Sequence, residues 1–307
     1  MTYAMIILLT GYTMSYDLYF KGRDSQAKFK LESVRGFFDQ RKNYQLTDAQ
    51  AIYQNSVTGV YFSFDFEETT DGEPSAALPV TFCLNFYRPH IFGLEAELEV
   101  RAFVKALNLL VSDPHIGGMG EGEYSTEGFL AGWNIGNRFA YSAVSQGQPD
   151  LKPLVLATTQ IETCWRWNFA ITSLQERLGD QVFVPRYMFV EHEGKAVRMI
   201  VWPDGIPTAI PESDVIAIPR KLILGKRFFG PKEDVMFVLW NDVQPLLEQF
   251  PKKMESPPYY FLSYSEVPVS VTEWIRKISS GLRKPTGVAI DKILNLELME
   301  EARKRVQ

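Results

Sequence analysis

The residue types able to do chemistry are carboxylates, two thiols and three imidazoles. Carboxylates recur in close pairs: Glu67 with Glu68, Asp71 with Glu73, Glu121 with Glu123. Two carboxylates sharing a cleft can act as general acid and base. Nothing in these spacings brings a pair to one cleft, and acidic loops are ordinarily solvated surface. Cys83 alternates with Thr81 and Asn85, and no histidine is assigned near it. Cys164 shares a helical stripe with Trp167 and Leu174, where a buried thiol behaves as a small hydrophobe. His90, His115 and His192 are far apart and show no metal-ligand spacing. His192-Glu193 opens like a zinc-protease motif, but residue 196 is Ala196. No G-x-S-x-G nucleophile elbow occurs. Gly118, Gly120 and Gly122 form a glycine loop of the kind that cradles phosphate with backbone N–H groups. Glu121 and Glu123 would repel a phosphate, no Lys-Ser/Thr follows, and the dinucleotide spacing is wrong. The stretch therefore reads as a turn-rich connector presenting acidic groups. No catalytic residue, metal ligand or cofactor is assigned.

The elements around these residues follow from periodicity. Tyr16 to Phe20 reads as a strand, 31–42 as an amphipathic helix and 49–53 as a short strand. Val60, Phe62, Phe64 and Phe66 alternate with Tyr61, Ser63, Asp65 and Glu67, the signature of a half-buried strand. Val80, Phe82, Leu84 and Phe86 repeat the pattern, so the two strands should pair antiparallel. A helix is expected from Leu94 through Val111, with Glu95, Glu97 and Glu99 near its start, where the helix dipole favours them. A loop follows over 113–124, then a helix over 126–145. Gln146 to Pro153 reads as a linker. Cys164, Trp167, Ile171, Leu174 and Leu178 make a second helical stripe, ended by Gly179-Asp180. Val182–Val190 and Ala196–Trp202 read as a hairpin, and Pro203–Pro219 as extended and irregular because of its prolines. Val235–Trp240 is a further strand; 242–250, 270–280 and 286–304 read as helices. The fold class is α+β, with largely antiparallel sheets covered by helices. Three segments are expected: an N-terminal extension (1–13), an acidic α+β unit (14–148) and a second α+β unit (149–307).

Bulk composition narrows the function classes. The 307 residues are 46% hydrophobic and 13% aromatic, which supplies a core and argues against a disordered chain. The net charge of −5 makes nucleic acid an unsuitable direct ligand. Residues 1–150 hold 11 Lys+Arg against 18 Asp+Glu, whereas 151–307 hold 21 against 19. An acidic first half suits a basic partner. Two cysteines are too few for a disulfide scaffold, and a reducing cytoplasm fits best. The apolar run Ala4 to Leu9 is too short for a signal-peptide core or a membrane span. Arg138 in GWNIGNRF (132–139) and Arg166 in CWRWN (164–168), segments that hold Trp and Arg together, are candidate exceptions to a core-packing role.

A string of phrases carries a resemblance: YDLYFKGR (16–23), YQNSVTGVYFSFDF (53–66), NFYRPHIFGLEAE (85–97), GMGEGEYSTEGFLAGWNIGNRFAY (118–141), WRWN (165–168), VFVPRYMF (182–189) and VWPDGIP (201–207). Running from Tyr16 almost to the C-terminus, it resembles bacterial cytosolic proteins of the toxin-immunity type, encoded beside polymorphic or Rhs-type interbacterial toxins. The resemblance implies a setting and a toxin as partner. It supplies no catalytic residues. The leading expectation is an immunity protein that occludes the active site of a basic nuclease or RNA-modifying ADP-ribosyltransferase domain. A cytosolic hydrolase using paired carboxylates, or an adaptor without a toxin partner, are the alternatives. Partner contacts are expected on two acidic loops, through Glu67, Glu68, Asp71 and Glu73 and through Asp113, Glu121, Glu123 and Glu127. Neither direct nucleic-acid binding nor membrane association is expected.

Overall fold

The fold is that of a computed structural model in which residues 14–23, 31–67, 77–225, 234–279 and 281–305 are described. It is α+β and divides into two compact units. Residues 1–153 with 294–307 form one; 154–293 form the other. The last residues of the chain thus join the first unit. Glu68, Asp71 and Glu73 lie outside the described residues, as does the proposed extension 1–13.

The first unit is built on a seven-stranded sheet. Its strands are β1 (Ser15–Gly22), β2 (Tyr44–Leu46), β3 (Gln50–Gln54), β4 (Tyr61–Phe66), β5 (Ala77–Asn85), β6 (Leu109–Asp113) and β7 (Gly120–Gly122). Their order is β2-β3-β4-β5-β1-β6-β7, with every described pairing antiparallel. The expected β4–β5 pair is present in register, Ser63 opposite Cys83 and Asp65 opposite Thr81. Alternation sends Tyr16, Leu18, Phe20, Phe62, Phe64, Val80, Phe82 and Val111 into the core. Three helices cover that face: α1 (Leu31–Asp39), α2 (Ile91–Leu107) and α3 (Thr126–Gly147). Phe38 of α1 stands 4.8 Å from Phe64, and Phe103 of α2 stands 5.0 Å from Phe20, between ring centroids. Ser125 caps α3, its Oγ accepting from the Gly128 N–H at 3.1 Å.

Two expectations are corrected in this unit. Helix α2 stops at Asn108, which adopts the left-handed conformation (φ 53°). Val111 is therefore a strand residue of β6, not a helical one. The apolar periodicity ran on because a core-facing strand residue fell on the helical count. Likewise the 113–124 stretch is not all loop: Gly120–Gly122 forms β7 beside β6.

The second unit contains β8 (Leu154–Leu156), α4 (Thr158–Leu178), β9 (Met188–His192), β10 (Lys195–Val201), β11 (Thr208–Pro211), β12 (Val215–Pro219), α5 (Lys221–Leu224), β13 (Val235–Leu239), α6 (Trp240–Leu247), β14 (Lys252–Lys253), β15 (Tyr259–Leu262), α7 (Val269–Lys277) and β16 (Thr286–Val288). Five strands form one sheet in the order β13-β12-β10-β9-β16, and β11-β15-β14 form another. The expected hairpin is β9–β10, turned by Glu193 and Gly194, both at positive φ (51° and 75°). His192-Glu193 is thus hairpin chemistry. The Pro203–Pro219 stretch is extended as expected, but it holds two paired strands where irregular chain was expected. Pro211 and Pro219 are tolerated because each ends its strand; the β10–β12 pairing stops at Ala217. The stretch read as one helix over 286–304 is β16, a 3-10 turn at Ile290–Lys292, a short strand β17 (Ile293–Asn295) and helix α8 (Leu296–Lys304).

Among the described residues no helix is long and apolar enough to cross a membrane.

Candidate functional site

Helices α1, α2 and α3 pack on one face of the first unit's sheet, and among the described residues no helix packs on the other face. Residues directly opposite one another in paired strands project to the same side. One such row runs Gln50, Asp65, Thr81, Tyr19, Ser112, Glu121, crossing six strands from β3 to β7. A neighbouring row runs Ile52, Ser63, Cys83, Asp17. Tyr19 is 44% exposed, large for an aromatic in a central strand. Thr81 Oγ1 donates to Glu67 Oε1 at 2.8 Å, which ties Glu67 to the first row.

Charge on this face is acidic but organised. Lys21 Nζ lies 3.1 Å from Glu121 Oε2, and Arg23 makes a two-pronged ion pair with Glu123. Both glutamates stay largely exposed (side chains 70% and 66%). Such pairs add little to stability. Asp17, Asp65 and Glu67 supply further negative charge on the same face.

The sequence-selected acids separate into distinct fates. Glu67, Glu121 and Glu123 share the open face. Glu127 sits exposed in the first turn of α3, where Ser125 Oγ donates to it at 3.1 Å. Asp113 was expected at the surface and is instead buried (4% exposed). Its Oδ2 accepts from Tyr16 Oη at 3.0 Å and the Met119 N–H at 2.9 Å; its Oδ1 accepts from the His115 N–H at 3.0 Å and meets His115 Nδ1 at 2.9 Å. Burial pushes its pKa up, but the His115, Met119 and Tyr16 hydrogen bonds outweigh that and hold it below the usual carboxylate range. Asp113 is the post around which the 113–119 loop is wound. Gly118 is required there, because a Cβ would come within 2.0 Å of Asp113 Oδ2.

Sequence reasoning also assigned the wrong role to Glu95 and Glu97. With α2 starting at Ile91, they lie beyond its first turn and are buried. Glu95 Oε1 accepts from Tyr53 Oη (2.8 Å), Asn55 Nδ2 (2.8 Å) and Thr58 Oγ1 (3.0 Å), pinning the 55–59 turn. Glu97 Oε1 accepts from Tyr124 Oη (3.1 Å) and Thr126 Oγ1 (2.6 Å), anchoring the entry to α3. Glu99 is gripped by Arg41 at 3.0 and 2.7 Å. The available signal was polar partners on both sides of α2, the Tyr53–Thr58 and Tyr124–Thr126 segments.

Both cysteines are free thiols. Burial, with Asp17 and Asp65 adding to it, pushes Cys83 up to about 12. Burial likewise raises Cys164. Neither is poised as a thiolate at neutral pH. Among the described residues no cluster of His, Cys, Asp and Glu could hold a metal ion. In the second unit Trp167 is core, its Nε1 donating to the Pro185 carbonyl at 2.6 Å, while Arg166 is exposed and paired with Glu162.

No family model matches the chain, and neither a curated protein nor a solved structure matches it significantly.

Proposed function

We propose that the protein is a binding protein of the toxin-immunity type, which neutralises a cognate interbacterial toxin in the cytoplasm. What supports this reading is the open face of the seven-stranded sheet, with Asp17, Asp65, Glu67, Glu121 and Glu123 on one broad polar surface. A toxin domain acting on nucleic acid carries a cationic surface for phosphate. An acidic face in regular strand register can cover that surface, steer the encounter and oppose like-charged partners. The ion pairs at Lys21 and Arg23 hold Glu121 and Glu123 in place and are exposed enough to exchange for a partner's cations. The test is co-expression with the product of the neighbouring reading frame, followed by co-purification. A stable complex is expected, and it should be lost in Asp65→Lys/Glu121→Lys protein that keeps its thermal stability. An intact complex with that variant would take the face out of the interface.

A further inference from the structure

We infer that a depression on the open face, between β3, β4 and β5, is a receptor for a single carboxylate group. It has a volume of about 230 Å³, and Gln50, Ile52, Ser63, Cys83, Asn85 and Arg88 are among the residues that line it. Arg88 differs from the ion-paired cations of this unit. Lys21, Arg23, Arg41 and Arg101 each have a carboxylate partner. No salt bridge to Arg88 occurs among the described residues. Its guanidinium is nevertheless held in place: the carbon lies 5.5 Å from the Tyr61 ring centroid, and Nη1 donates to the Tyr87 carbonyl at 2.8 Å. Its Nε is shut away from solvent without a hydrogen-bond partner. A guanidinium fixed against an aromatic ring is a pre-organised fork for a carboxylate.

The neighbouring groups supply the rest of a receptor. Asn85 Oδ1 is occupied by the Tyr87 N–H at 2.7 Å, so the side-chain amide presents its NH₂ half as a donor. Ser63 adds a hydroxyl, and Ile52 with the Tyr61 ring can take a short apolar stem. Asp17 and Asp65 project from β1 and β4, the strands on either side of β5, Asp17 opposite Cys83 and Asp65 opposite Thr81. Their field opposes a multiply charged anion, so a monocarboxylate is selected over phosphate. The assignment stands whether or not the partner is a toxin.

The full chain labelled with nitrogen-15 is titrated with propionate, with N-acetyl-glutamate N-methylamide and with inorganic phosphate, and side-chain resonances of Arg88 and Asn85 are followed. Saturable shifts are expected with a carboxylate and not with phosphate, weakened about tenfold or more by Arg88→Gln. That variant should fold, because Arg88's links to Asn137 and Tyr141 run through its main-chain carbonyl. Saturation by the capped glutamate as well as propionate assigns the site to a partner's acidic side chain; saturation by propionate alone assigns it to a free small acid. No saturation by either below about 50 mM, equal binding of phosphate, or an Arg88→Gln variant that binds undiminished would overturn the inference.

Discussion

Asp113 and Glu121 belong to one short acidic stretch, yet they do opposite work. Asp113 is enclosed, takes hydrogen bonds from three residues and winds a loop about itself. Glu121 lies on an exposed edge strand, matched by one lysine across the sheet. The same contrast separates Glu95 and Glu97, inside the first unit, from Glu67 and Glu123 on its open face. Carboxylate position in the sequence therefore says little about role; what matters is whether donors converge on it. Interior carboxylates should govern stability and leave binding untouched. Face carboxylates should do the reverse.

The largest expected effect is at Glu95. Removing it strands the Tyr53, Asn55 and Thr58 donors in a dry site, so Glu95→Ala should cost about 3–5 kcal/mol in urea unfolding. Glu95→Gln should recover part of this. A loss below about 1 kcal/mol would show that the three donors find other acceptors.

Asp113→Asn should cost about 2–3 kcal/mol at pH 7. Its folded pKa lies below the unfolded value, so its contribution is present above the unfolded pKa, near 4, and is lost as pH falls through the folded value. The gap between wild type and Asp113→Asn should therefore close on acidification below about pH 4. A gap independent of pH would mean that shape, not charge, holds the loop. Gly118→Ala probes the same post sterically and should cost about 1–3 kcal/mol, since Asp113 must give way.

At the small end, Glu121→Gln and Glu123→Gln should each change stability by less than about 1 kcal/mol, because their ion pairs are exposed. A larger loss at either would place it with the interior group and erase the distinction.

How far the sequence could be read follows the same physics. Strands β4 and β5 were legible because alternating Phe and polar residues meet one dry and one wet face. Helix α4 was legible from its apolar stripe and from Gly179 at its end. Strand β7 was not, since two of its three residues are glycine and so short a strand shows no apolar alternation. Strands β11 and β12 were hidden by prolines that sit harmlessly at strand ends. Within the candidate site, Glu67, Glu121 and Glu123 could be picked by charge. Asp17 and Asp65 could not, because their membership depends on the order β4-β5-β1. Asp113 was misplaced because its donors, Tyr16, His115 and Met119, converge only after folding.

The most direct measurement is the association rate of the chain with a basic toxin domain of the kind proposed as its partner, by surface plasmon resonance at low and high salt. Charge reversal of the face, Glu121→Lys with Glu123→Lys, should slow association at low salt and flatten its salt dependence, while the thermal midpoint stays close to wild type. Association rates equal to wild type at both salts would contradict the assignment of this face to binding.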